Sequence, residues 1–85
     1  MSPRILGLTI RDRREDIGIT LQQFATATRL SLGFLRMLES GQTVVTLDAF
    51  FAIAEALGCR PFQLLLLAEM RATAEQAAAE KVVSP

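Results

Sequence analysis

The chain has 85 residues, 51% apolar and 21% charged, and its nine Lys and Arg balance nine Asp and Glu. Folding at this size leaves ~5,000 Å² accessible and buries about 60% of the extended surface, which supports one small core and a single domain. With no His and a single Cys, Cys59, the composition excludes disulfide frameworks, Cys/His zinc sites and histidine acid–base catalysis within one chain.

The first predicted helix runs from Leu6 to Ile17, with Leu6, Ile10 and Ile17 on one face. Gly18 follows where a left-handed C-terminal cap is needed. Thr20, with Gln23 three residues on, is a capping-box pattern opening a short helix over Leu21–Thr28, Phe24 and Ala25 inward. Ser31 is the next N-cap, for a helix from Leu32 to Ser40 with Phe34, Leu35 and Leu38 facing the core, and Gly41 stops it.

Thr46 caps a fourth helix over Leu47–Leu57, with Asp48 near its positive end. Its buried stripe is Phe50, Ile53, Ala54 and Leu57, and Gly58 ends it. Cys59 reads as a small core filler. Pro61 suits the first turn of a fifth helix, where its missing N–H costs nothing. There Phe62, Leu64, Leu65, Leu66 and Leu67 cover nearly the whole circumference, and Met70 adds to one side. Four short neighbours cannot cover such a helix, so Phe62, Leu65, Leu66 and Met70 are expected to form a subunit interface. The alternative is a C-terminal helix inserted into its own core. Arg71–Lys81 is Ala/Glu/Gln-rich with little to bury; it extends the helix as a solvated segment, or as a partner-binding one, and frays toward Val82–Pro85.

Neutrality conceals segregation. Residues 1–14 carry four Arg and one Asp, while residues 41–85 carry five acids against three bases. No Gly-rich phosphate loop or Gly-x-Ser-x-Gly elbow occurs, so no enzyme activity and no cofactor or metal is expected. The longest apolar run, Leu64–Ala68, falls far short of the ~20 residues that span a bilayer, and no signal-peptide run opens the chain. The expectation is a cytoplasmic protein without a membrane partner.

Two short helices joined by a tight turn, Thr20–Thr28 and Ser31–Ser40, form a helix-turn-helix candidate. The string Gly18-Ile19-Thr20-Leu21-Gln22-Gln23-Phe24-Ala25, then Ser31, Leu38-Glu39-Ser40-Gly41, Leu47 and Ala56-Leu57-Gly58 resembles the phage repressor/Cro family, also named for xenobiotic response element regulators. The resemblance runs without a gap from about Ile10 to Leu65. It implies an all-α, five-helix, repressor-like domain over residues 1–70, with residues 71–85 as a helical C-terminal extension.

The same resemblance implies a structural ion pair between Arg14 on the first helix and Glu39 at the end of the third. It places the third helix in the major groove of double-stranded DNA, with Leu32, Gly33, Arg36 and Met37 as the reading face. Arg36 offers a fork to guanine, while Leu32 and Met37 either touch thymine methyls or pack against protein. Backbone phosphates fall to Thr20, Gln22, Arg29, Ser31, Ser40, Gln42 and Thr43.

The sequence departs from its relatives at Leu21, where a Gln is common, and in the loop Gln42-Thr43-Val44-Val45, which lacks their Lys or Arg. Arg29, Arg4, Arg11 and Arg13 are the cations left to compensate, so a shallow salt dependence is expected. The function implied is a homodimeric transcriptional repressor on a palindromic operator. Two rivals stand beside it. One is a protein-interaction module, antitoxin-like or regulator-docking, using Leu32, Met37 and Val44; the other is a small accessory subunit of an enzyme.

Overall fold

In the computed structural model, which describes residues 1–83 and side chains through Glu80, Ser2 caps the first helix: its Oγ accepts from the Ile5 N–H at 3.2 Å. The helix α1 spans Pro3–Asp16, with Pro3 in its first turn, and so begins three residues before the predicted Leu6. Between Ser2 and Leu6 only Ile5 is a large apolar residue, too little for a period, so the start is marked by Ser-Pro chemistry alone. Ile17 departs from the expected inward face and is 38% exposed. Ile17 is the C-cap, its N–H still bonded to Arg13 O, and it lies well beyond the α1 residues that the core buries, Gly7, Thr9 and Ile10.

The remaining elements are α2 (Leu21–Thr28), α3 (Leu32–Glu39), α4 (Leu47–Ala56) and α5 (Pro61–Val83). Among the described residues there is no strand. The Thr20–Gln23 capping box is complete: Gln23 N–H donates to Thr20 Oγ1 at 3.1 Å and Thr20 N–H to Gln23 Oε1 at 2.8 Å. Ser31 and Thr46 cap α3 and α4 in the same way, accepting from Phe34 N–H and Ala49 N–H. A Gln63 side chain at α5's start accepts from Arg60 N–H at 2.8 Å.

Helices α1, α3 and α4 end alike. After α3, Gly41 N–H donates to Leu38 O and Gln42 N–H to Met37 O, the paired closure that needs a left-handed residue, and Gly41 has φ +76°. The turn between α2 and α3 uses a different device. Arg29 itself is left-handed at φ +60°, and Thr28 Oγ1 braces it by donating to Phe24 O and accepting from Leu30 N–H. That conformation costs a non-Gly residue about 1–2 kcal/mol.

The core draws on all five helices: Ile10, Phe24, Leu35, Leu38, Phe50, Ile53, Ala54, Leu57 and Leu64. Gly7 lets α1 and α3 approach, since a Cβ there would overlap Leu38 O and lie 3.1 Å from Glu39 O. Cys59 packs against the core half-buried.

Helix α5 meets α4 at 93° and crosses α1. Its inward stripe is Leu64 and Ala68, both fully buried, continued by half-buried Arg71, Ala72 and Glu75. Insertion into the chain's own core therefore describes that stripe alone, because one helical face is all that α1 and α4 can cover. Arg71 pairs with Asp12, and Arg4 pairs with Glu75 at 2.5 Å, so the first two turns of the extension are held against α1. Helix α5 lengthens the molecule to 49 × 24 × 23 Å. The fraying expected at Val82–Pro85 falls on side chains, and on Ser84 and Pro85 entirely, outside the described residues.

Candidate nucleic-acid interface

Three N–H groups of one guanidinium set the pose of α3. Arg14 Nε donates to Glu39 Oε2 at 2.7 Å, Nη2 to Glu39 Oε1 at 2.9 Å, and Nη1 to Ile19 O at 2.9 Å. The side chains are only 12% and 7% exposed, so this two-pronged pair works in a medium that screens it poorly. Hydrogen bonding to Glu39 raises the Arg14 pKa, against the opposing effect of burial. The pair ties α1, the α1–α2 connection and the last turn of α3 together.

With α3's inner side fixed by Leu35, Leu38 and Glu39, the helical period turns Leu32, Gly33, Arg36, Met37 and Ser40 outward. Gly33 and Arg36 are exposed, Met37 is 43% exposed, and Leu32 is half-buried. Among the described residues, the Arg36 guanidinium has no hydrogen-bond or ion-pair partner. A shallow recess lined by Arg11, Arg14, Leu21, Arg36, Glu39 and Ser40 borders this face.

The predicted phosphate-contacting residues divide by what their polar atoms already do. Thr20 and Ser31 are exposed caps whose oxygens accept backbone N–H groups, leaving each hydroxyl proton free to donate. Gln22 and Arg29 are exposed beside them. In contrast, Ser40 Oγ donates back to Arg36 O at 2.9 Å, and half-buried Thr43 donates to Val44 O at 3.3 Å. Gln42 is exposed, though its backbone N–H is spent in closing α3.

The supplementary cations are largely committed. Arg4 is held by Glu75, Arg13 Nε donates to Leu57 O at the end of α4, and Arg11 lies 3.6 Å from Glu15. The basic excess of the first fourteen residues is thus mostly used inside the fold. Glu15 is four residues from Arg11, one helical turn away, but Glu75 and the Leu57 carbonyl lie 71 and 44 residues from their partners and leave no periodic trace in the sequence.

Phe62, Leu65, Leu66 and Met70 all lie on exposed parts of α5, together with Leu67. Leu47 and Phe51 on α4 are exposed as well, which sequence reading overlooked although their four-residue spacing placed them on one face. The loop splits: Val44 is 75% exposed, whereas Val45 packs against the core. Burial raises the Cys59 thiol pKa, with the charge of Arg13 opposing. Among the described residues no group of His, Cys, Asp and Glu is arranged to hold a metal ion, and no single helix is long and apolar enough to cross a membrane.

A family model described as helix-turn-helix matches residues 10–64, from the middle of α1 to the start of α5. Among solved structures, the clp gene regulator ClgR from Corynebacterium glutamicum is 35% identical, with a TM-score of 0.84 over 94% of this chain and 84% of that one. A second structure of that regulator gives 34% identity and a TM-score of 0.74, over 79% and 87% of the two chains. The restriction-modification controller protein C.AhdI from Aeromonas hydrophila is 26% identical, with a TM-score of 0.71 over 73% of this chain and 94% of that one. No curated protein sequence matches.

Proposed function

Since this chain belongs to the Cro/C1-type helix-turn-helix family and is a DNA-binding transcription regulator, we propose that it is a sequence-specific repressor acting as a homodimer on a short palindromic operator. The observation that carries the reading is Arg36, a guanidinium without a partner among the described residues, on the outward face of a helix whose inner face is locked by Arg14 and Glu39. A free fork at that place suits the O6 and N7 acceptors of guanine, a contact worth about 1–3 kcal/mol of discrimination. Leu32, Gly33 and Met37 complete the reading face. Thr20, Gln22, Ser31 and Arg29 seat the phosphates, with Ser40, Gln42 and Thr43 at the margin.

Few free cations mean few displaced counterions, so one copy binds weakly. Two copies joined through Phe62, Leu65, Leu66 and Met70 would present two recognition helices to grooves ~34 Å apart. Linking two sites multiplies affinity without new contacts. In this reading residues 1–70 are the DNA-binding unit and residues 71–85 its helical extension. The protein works in the cytoplasm, by occupying DNA and not by catalysis, without a cofactor. That ClgR is a clp gene regulator and C.AhdI a restriction-modification controller protein supports the regulatory part.

Gel retardation after selection from random duplexes tests it. The parent chain should enrich a two-fold symmetric sequence containing guanine, and Arg36→Ala should lose about 5- to 160-fold of preference for it. Preference unchanged in Arg36→Ala removes the assignment.

A second reading is favoured by the engagement of Arg4 and Arg13 within the fold and by the bare Val44. It makes the chain a protein-interaction module that docks a partner through Leu32, Met37 and Val44. No retardation of any duplex at low salt would favour it.

A further inference from the structure

Helix α5 exposes apolar residues on two sides, and the dimer reading uses one of them. Leu65 and Leu67 stand about 200° apart around the helix, so a contact through Phe62, Leu65 and Leu66 leaves Leu67 turned the other way. Leu67 is 43% exposed and lines a groove of about 580 Å³ between α5 and α1. Met70 and Ala74 continue the α5 wall, and Arg13 and Asp16 line the groove from α1. The volume falls in the range of about 300–1,000 Å³ that suits small ligands, whose sites pair apolar walls with a few convergent polar groups.

The two helices run antiparallel, since Arg4 pairs with Glu75 and Asp12 with Arg71. Four residues beyond the second pair, Asp16 on α1 therefore stands level with Leu67 on α5. Asp16 is the last residue of α1, where the helix dipole disfavours an acid, and it has no ion pair among the described residues. Arg13 sits one turn back. Its Nε donates to Leu57 O at 3.2 Å, which fixes the side chain but, being a neutral acceptor, leaves the charge uncompensated. Its Nη groups have no partner among the described residues. Residues three apart on a helix are surface neighbours, with Cβ atoms about 5–6 Å apart, yet Arg13 and Asp16 do not pair with each other. Two unlike charges thus stand unspent beside an apolar wall.

An anion alone would be repelled by Asp16, and a cation alone by Arg13. A molecule that carries both charges on one carbon, with an apolar chain attached, matches every one of these groups. We infer that the groove between α1 and α5 binds a free apolar α-amino acid. Its carboxylate lies on Arg13, its ammonium on Asp16, and its side chain against Leu67, Met70 and Ala74. The site goes beyond the DNA-binding reading and stands whether or not α3 meets DNA.

Titration of the full ¹⁵N-labelled chain with L-leucine, followed by backbone amide shifts, tests it. Saturable shifts should appear in residues 12–16 and 67–74 and leave α3 unmoved. N-acetyl-leucine, which lacks the ammonium, and leucinamide, which lacks the carboxylate, should each bind about tenfold more weakly, the loss expected for one charged hydrogen bond. Asp16→Asn should weaken leucine by a similar factor. That variant removes an acid from the end of α1, so its fold is not endangered.

No saturable shift up to the solubility limit of leucine would overturn the site. N-acetyl-leucine binding as tightly as leucine, or leucine binding undiminished in Asp16→Asn, would overturn the ammonium seat. Leucinamide binding as tightly as leucine would overturn the assignment to Arg13. None of these results touches the DNA reading, because Asp16 and Leu67 lie off α3.

Discussion

Arg14 on α1 grips both carboxylate oxygens of Glu39, the last residue of α3, and spends its third N–H on the Ile19 carbonyl between α1 and α2. One side chain thus references α3 to the rest of the domain, and removing either partner leaves a charge stranded in a site less than one-eighth exposed.

Glu39→Ala should therefore destabilise the fold by about 3–5 kcal/mol. Glu39→Gln should also destabilise it, by less, since the amide still accepts one hydrogen bond. Urea unfolding followed by circular dichroism measures both. A loss of under about 1 kcal/mol in Glu39→Ala would equate the pair with an ordinary surface ion pair and refute its role.

Two glycine substitutions in helices should act in opposite directions. Gly7→Ala drives a methyl into the Leu38 and Glu39 carbonyls and should cost about 1–3 kcal/mol despite alanine's better helix propensity. Gly33→Ala meets open space and should gain up to about 1 kcal/mol. Thermal unfolding midpoints separate them, and equal shifts would contradict the close approach of α1 and α3.

The extension of α5 should loosen in acid. A hydrogen bond from Arg4, aided by the charges of Arg4 and Arg71, holds the Glu75 carboxyl below its usual range, against a smaller effect of burial. A depressed folded-state pKa stabilises above the unfolded value, about 4.3, and that stability is lost as pH falls through the folded one. Hydrogen-exchange protection of residues 71–80 should drop between about pH 5 and pH 3. Glu75→Gln should begin with less protection and lose less across that range; equal losses in the two proteins would exclude the Arg4–Glu75 pair as the cause.

Aspartate on the outer face of α5 should separate the copies of a dimer without unfolding either. Phe62 and Leu66 are 64% and 56% exposed, so Phe62→Asp/Leu66→Asp removes no core contact. Sedimentation equilibrium should show a dimer for the parent chain and a monomer for the variant, with DNA affinity lower by about 10²–10⁴-fold. A monomeric parent chain would place the partner of this surface elsewhere.

The helices were legible in the sequence because their signals act over four to six residues. Thr20 with Gln23, Ser31 and Thr46 start helices, Gly18, Gly41 and Gly58 stop them, and the stripe Phe50, Ile53, Ala54 and Leu57 is buried as its spacing requires. Those groups satisfy one another locally, so neighbours in the chain suffice to identify them. Which cations stay free was settled only by the tertiary structure. Arg4 and Arg13 carry the same charge as Arg36, yet Glu75 and Leu57 O claim the first two from 71 and 44 residues away. The burial of Leu64 beside exposed Leu65, Leu66 and Leu67, and the need for glycine at position 7, arise in the same manner. Each depends on the surface of a second helix, which hydrophobic periodicity within one segment does not encode.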